Sequence, residues 1–225
     1  MRLFAKRMLT RAGGMLTPTA TKKLRRAAEQ LEIGRWIYAA GYRPLHWMRS
    51  REELWQLLAT KVANERVLYL EFGVWQGDSI NYWSKLLKHP EARLHGFDSF
   101  EGLPEHWHTD KPKGSFDTGG AIPEVKDSRV EFFKGWFQET LPGYVPPPHE
   151  RLIVNIDVDI YSSAAYVLNT LIPYISVGTF IYFDEFDYVE HELRAFDEFR
   201  SRGTMKFSLY GADPMFRAVV FERVS

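Results

Sequence analysis

The chain has 225 residues, with 29 basic and 29 acidic side chains and no cysteine, a length that suits one large domain and is short for two. Charge neutrality provides no global field to draw the protein to nucleic acid or acidic lipid, and the lack of cysteine excludes disulfide frameworks, thiolate metal sites and thiol nucleophiles. No apolar run approaches the roughly 18 to 20 residues that span a bilayer, so the composition reads as that of a cytoplasmic protein in a reducing compartment.

The first stretch is basic: Arg2, Lys6, Arg7, Arg11, Lys22, Lys23, Arg25 and Arg26 all precede Glu29, the first acid. MRLFAKRMLTRAGGML lacks a continuous apolar core and a small-residue cleavage site, which argues against a signal peptide. A frayed terminus with a solvated helix face is one reading of this arm; weak contact with a membrane surface or a partner is the other. Leu24, Ala27, Ala28 and Leu31 recur at helical spacing, and Ser50 with Glu53 forms a capping box ahead of Leu54, Leu57, Leu58 and Val62. Residues 1–64 are therefore expected to form a basic helical segment packing on the core, and residues 65–225 the main domain.

From residue 66 strands alternate with helices. RVLYLEF (66–72) is the short apolar run of a central parallel strand, and Asp78 or Ser79 is positioned to cap a helix carrying Ile80, Trp83, Leu86 and Leu87. RLHGF (93–97), VEFF (130–133), LIVNI (152–156) and TFIYF (179–183) read as the next strands. MKFSLYG and FRAVVFER form a terminal pair around a turn at Asp213-Pro214. The pattern predicts a doubly wound α/β domain with a mostly parallel, seven-stranded sheet and an antiparallel C-terminal strand. The long segment 101–128, rich in Gly, Pro and charge but carrying Trp107 and Phe116, is expected to be a lid.

In such sheets ligands bind beyond the carboxyl ends of the strands. The first strand ends in Glu71-Phe72-Gly73, with Gly77, Asp78 and Ser79 after it, and roughly 20 residues past Gly77 the second strand ends at Asp98, the spacing of a ribose-binding acid. Trp75 stands where a dinucleotide site needs bare backbone, and Glu71 suits a cationic ligand better than a phosphate, so the turn favours S-adenosylmethionine over a dinucleotide, a glycine-turned strand–helix junction without a ligand being the alternative. Asp157 and Asp159 follow the fourth strand, and Asp184 and Glu185 the fifth. These are hard oxygen donors of the kind that hold Mg²⁺ or Mn²⁺, although helix capping is the alternative.

The segments LEFGVWQGDSI, HGFDSFEGLPEHW, KGWFQETLP, IDVDIYSS, GTFIYFDEF and RAFDEF resemble, in this order, the macrocin O-methyltransferase family, from about Leu68 to the C-terminus. That resemblance implies a Rossmann-like methyltransferase fold, S-adenosylmethionine and Mg²⁺ as cofactors, and methylation of a sugar hydroxyl on a larger scaffold. It implies that Glu71, Gly73, Gly77, Ser79, Asp98 and Ser99 line the cofactor site, with Gly135 and Trp136 near the adenine. Asp157, Asp184 and Glu185 are the implied metal ligands, and Asp159, Tyr161 or a histidine among His106, His108 and His191 would assist proton removal beside Asp157. The expected substrate is one hydroxyl of a vicinal diol on a sugar or glycosylated natural product, and a homo-oligomer is expected. A metal-independent or catechol-type methyltransferase, or a non-catalytic partner-binding module, would share the same fold.

Overall fold

The computed structural model describes residues 2–108 and 110–225. The chain divides into two compact units, Met1–Gly41 and Tyr42–Ser225. The first holds two helices, α1 (Arg2–Gly13) and α2 (Pro18–Ala39). Pro18 opens α2 at the position where its missing N–H costs nothing, and the Thr17 hydroxyl accepts the Ala20 N–H at 3.2 Å.

The larger unit begins at Tyr42, well before residue 65. Its first helix, α3 (Arg51–Lys61), buries Leu54 and Leu58 as the capping-box periodicity predicts, and Trp55 with them, while Leu57 is only partly buried. Only one arm of that box forms. Ser50 accepts the Glu53 N–H, while the Glu53 carboxylate turns to the backbone of Arg49, at 2.8 Å, because the Arg49 guanidinium is there to pair with it.

The strands are β1 (His46–Trp47), β2 (Val67–Phe72), β3 (Arg93–Asp98), β4 (Val130–Lys134), β5 (Arg151–Ile156), β6 (Phe180–Phe183), β7 (Phe207–Ala212) and β8 (Val219–Arg223). They form one sheet in the order β1-β7-β8-β6-β5-β2-β3-β4, in which β8 runs antiparallel to both neighbours. The seven expected strands are present, and β1 adds an eighth: two residues paired parallel to Gly211 and Ala212, too short to leave a periodic signal. The helices that follow the strands are α4 (Asp78–Leu86), α5 (Phe137–Thr140), α6 (Tyr161–Leu171) and α7 (Arg194–Arg202), with a π-helical turn at Val189–Leu193 leading into α7.

Both faces of the sheet are covered, so the central strands are continuously apolar; all of β2 is buried. One face carries Tyr69 stacked on Trp83 at 4.8 Å with Trp55 against Tyr182, and the other Phe196 stacked on Phe221 at 4.2 Å with Phe183 and Phe186. Such pairs add about 0.5 to 1.5 kcal/mol each beyond their burial. This rigid centre places the carboxyl ends of β2, β3, β5 and β6 side by side.

Candidate functional site

Those strand ends open into one cavity of about 620 Å³, the size of a small-molecule site. At the end of β2, Gly73 has φ +84°, and a Cβ there would stand 1.8 Å from the Asp157 carbonyl oxygen. The ends of β2 and β5 thus approach more closely than any side chain permits. Gly77, at φ +80°, is itself the N-cap of α4, and a Cβ on it would lie 2.9 Å from Pro123 of the long loop. Neither Asp78 nor Ser79 caps α4, because the Ser79 hydroxyl donates instead to Glu71 at 2.6 Å.

Glu71 is fully buried and also accepts the Tyr69 hydroxyl at 2.6 Å; burial pushes its carboxyl up to about 7. It does not touch the cavity, but Ser79, its partner, lines it. Asp98 does line it, and its carboxylate is already at work on the backbone. Oδ2 accepts the Val74 and Trp75 N–H groups, each at 2.8 Å, and Oδ1 accepts that of Phe100 at 2.7 Å. A carboxylate offers about four acceptor sites, so one lone pair on Oδ1 is left for a ligand. Ser99 and Gly135 complete this wall, the Gly135 N–H donating to the Asp98 carbonyl at 3.0 Å, and Trp136 is half-buried at its side.

The opposite wall is acidic. Asp157, Asp159, Asp184 and Glu185 all line the cavity. Asp157 is held well above the usual carboxylate range by burial and then by its acidic neighbours, Asp184 first. Asp159 sits at φ +62°, in the left-handed region that Asp enters more readily than most residues, and burial raises its carboxyl to about 7. Burial lifts Glu185 to about 7 as well. Tyr161 is not brought to this wall. As the first residue of α6 it faces α7, where its hydroxyl donates to Glu198 at 2.7 Å and the Arg194 guanidinium covers its ring at 4.1 Å.

Several residues at this wall carry no motif. Arg51 donates to Asp184 Oδ2 at 2.9 Å, Tyr182 donates to Oδ1 at 2.5 Å, and Arg217 pairs with Glu185 Oε1. Glu192, fully buried on the π-helical turn, accepts the N–H groups of Val158 and Glu185 at 3.4 and 3.1 Å and so ties the two acidic loops together. Its position four residues before Phe196, on the apolar face of the following helix, is the sequence signal that could have found it.

Two observations fit a divalent cation here. Glu185 Oε2 is buried without a hydrogen-bond partner among the described residues, and the donors are crowded hard oxygens. The arrangement is less favourable: among the described residues no group of three or more His, Cys, Asp or Glu side chains is gathered to hold a metal ion, and Asp184 and Glu185 each carry a guanidinium.

The long loop between β3 and β4 forms the roof, with Glu105, Trp107, His108, Lys111 and Phe116 facing the cavity. It is fastened by the Ser162 hydroxyl, which donates to Glu105 at 2.7 Å, and by Trp107 against Tyr188 at 4.8 Å. His106 is exposed, and His191 is half-buried off the cavity, where its ring accepts the Tyr161 N–H at 3.3 Å. His108 is the one of the three histidines that reaches the site.

The Macrocin-O-methyltransferase (TylF) family model matches residues 45–222. The chain is 30% identical over 141 residues to 8-demethyl-8-(2,3-dimethoxy-alpha-L-rhamnosyl)-tetracenomycin-C 4'-O-methyltransferase of Streptomyces olivaceus, covering 52% of each. It is 29% identical over 140 residues to mycinamicin III 3''-O-methyltransferase of Micromonospora griseorubida, covering 52% of this chain and 54% of that one. The chain thus spans about half the length of the curated relatives it matches. Among solved structures, the O-methyltransferase NovP shares the fold with a TM-score of 0.58 at 23% identity, over 78% of this chain and 80% of that one. A calicheamicin methyltransferase does so with a TM-score of 0.59 at 19% identity, over 92% and 94%.

Proposed function

The chain belongs to the Macrocin-O-methyltransferase family, and on that premise we propose that it transfers the methyl group of S-adenosylmethionine to a hydroxyl of a sugar or glycosylated natural product. The observation that carries this reading is a single cavity with a glycine turn, Asp98 and Trp136 on one wall and the Asp157–Asp159 loop on the other. When bound, S-adenosylmethionine supplies a methyl group made electrophilic by its sulfonium, so the protein contributes orientation, electrostatics and proton removal. Gly73 and Ser79 receive the amino-acid end, with the Glu71 carboxylate behind Ser79. The open lone pair of Asp98 accepts a ribose hydroxyl, and Gly135 and Trp136 flank the base.

Asp159 takes the proton of the acceptor hydroxyl as the new O–C bond forms and the S–C bond breaks, its electron pair remaining on sulfur. Asp157 stands beside it on the same wall. The roof loop excludes water, and Trp107 with Tyr188 offers an apolar face to a sugar ring. The lack of cysteine supports a cytoplasmic setting.

Calorimetry with adenosylhomocysteine tests the binding wall, with Asp98→Ala expected to weaken it by about 1 to 3 kcal/mol. Asp159→Asn is expected to lower kcat about a hundredfold or more with adenosylhomocysteine affinity unchanged. Binding of NAD without adenosylhomocysteine would overturn the proposal.

A second reading adds Mg²⁺ or Mn²⁺, favoured by the partnerless Glu185 Oε2. Asp157, Asp184 and Glu185 would hold it, Arg51 and Arg217 giving up their contacts, and it would supply Lewis acidity to a pair of neighbouring acceptor oxygens. A calorimetric Mg²⁺ titration, expected to show binding that Asp184→Asn removes, tests it together with turnover of a vicinal diol against its mono-deoxy analogue. Absence of Mg²⁺ heat with full activity in chelator would remove this reading and leave the first intact.

A further inference from the structure

Helix α1 belongs to the Met1–Gly41 unit and has no part in the cavity. At 100° per residue, Phe4, Met8 and Ala12 share one line of the helix, with Ala5 and Leu9 beside it, making an apolar arc of about 140°. That arc is open to solvent: Phe4 is 70% exposed, Met8 58% and Leu9 72%, and Met15 and Leu16 in the following turn are exposed too. Lys6, Arg7 and Arg11, all exposed, occupy the other side, where exposed Leu3 lies among them.

The charge of this region is one-sided. Eight basic residues and no acid lie between Arg2 and Arg26, whereas the rest of the chain sets 21 bases against its 29 acids. A soluble polyanion would use the basic side and leave the apolar arc in water. A second copy of α1 would cover the arc but bring like charges together. An anionic lipid surface accepts both, the arc among the acyl chains and the basic side among the headgroups.

We propose that α1 is an interfacial anchor that lies in the plane of an anionic membrane surface with Phe4, Met8 and Leu9 inserted and Lys6, Arg7 and Arg11 against the headgroups. No helix among the described residues is long and apolar enough to cross a membrane, so the attachment is peripheral. It is also reversible by salt, since surface charge is screened within a Debye length.

The test is flotation of the full chain with vesicles of phosphatidylcholine alone and of phosphatidylcholine mixed equally with phosphatidylglycerol. Binding to the mixed vesicles is expected, with little to the neutral ones, and it should weaken as salt rises. Arg7→Ala and Arg11→Ala should each reduce partitioning about fivefold, the loss of about one surface charge. Phe4→Glu with Met8→Glu should reduce it about tenfold or more, while adenosylhomocysteine affinity measured by calorimetry stays unchanged as a check on folding. Failure to bind anionic vesicles would overturn the proposal, as would binding that the Phe4→Glu, Met8→Glu variant retains. So would light scattering in which that double variant dissociates an oligomer while wild type ignores lipid; the arc would then belong to a second copy.

Discussion

Glu71 stands behind the cavity wall and acts on it through Ser79. It is sealed behind Ser79 and Tyr69, and burial raises its carboxyl from 4.5 to about 7. Below that value it is neutral and offers a cation nothing; above it the charge is present and attracts. Affinity for S-adenosylmethionine should therefore rise as pH climbs through about 7, and Glu71→Gln should flatten that dependence. Calorimetry across the pH range decides it, an equal slope in the variant counting against the role. Asp98 has a double duty of another kind. Its three backbone bonds hold the glycine turn in shape, so its replacement disturbs Val74 and Trp75 as well as any bound ribose. The spacing pointed to an acid that the structure places at the end of β3 on the cavity wall, but spacing alone carries no information on how many of its lone pairs the chain itself consumes.

Among the elements, the β2–α4 junction has the least tolerance. Gly73→Ala would drive a methyl group into the Asp157 carbonyl at a left-handed φ, and a loss of about 3 kcal/mol or more is expected. Gly143→Ala, where nothing lies within 4 Å, should stay within about 0.5 kcal/mol of wild type. Urea denaturation of the two variants makes the comparison; equal midpoints would refute the strained approach of β2 to β5. The π-helical turn before α7 is the second element of note. Its extra residue per turn, a feature frequent at functional sites, turns Glu192 inward to the backbone of Val158 and Glu185. Helical periodicity read from Leu193 onward finds α7, whereas a single wide turn leaves no repeat to detect.

For the molecule as a whole, the concentration of buried acids at one end of the sheet makes stability depend on pH. Glu71, Asp159 and Glu185 each rise to about 7 on folding, and Asp157 and Glu192 are raised too. The folded state binds more protons than the unfolded chain, so their contribution is fully present below the unfolded values of 3.8 and 4.5 and is lost as pH rises through about 7. The ligand-free protein should melt at falling temperatures over that window, and less steeply in Glu71→Gln; a scanning-calorimetry series with identical slopes would contradict this. By itself the sequence determined the order of the seven longer strands and of the main helices between them, the glycine turn, Asp98 and the acids at two strand ends. All of these are local, written in periodicities of two and 3.6 or in residues at the end of a run. Tertiary structure alone decided that Arg51, 133 positions away, pairs with Asp184, that Arg217 pairs with Glu185, and that Tyr161 turns to Glu198 instead of the cavity. Those choices depend on which surfaces meet when the sheet closes, and no spacing along the chain encodes them.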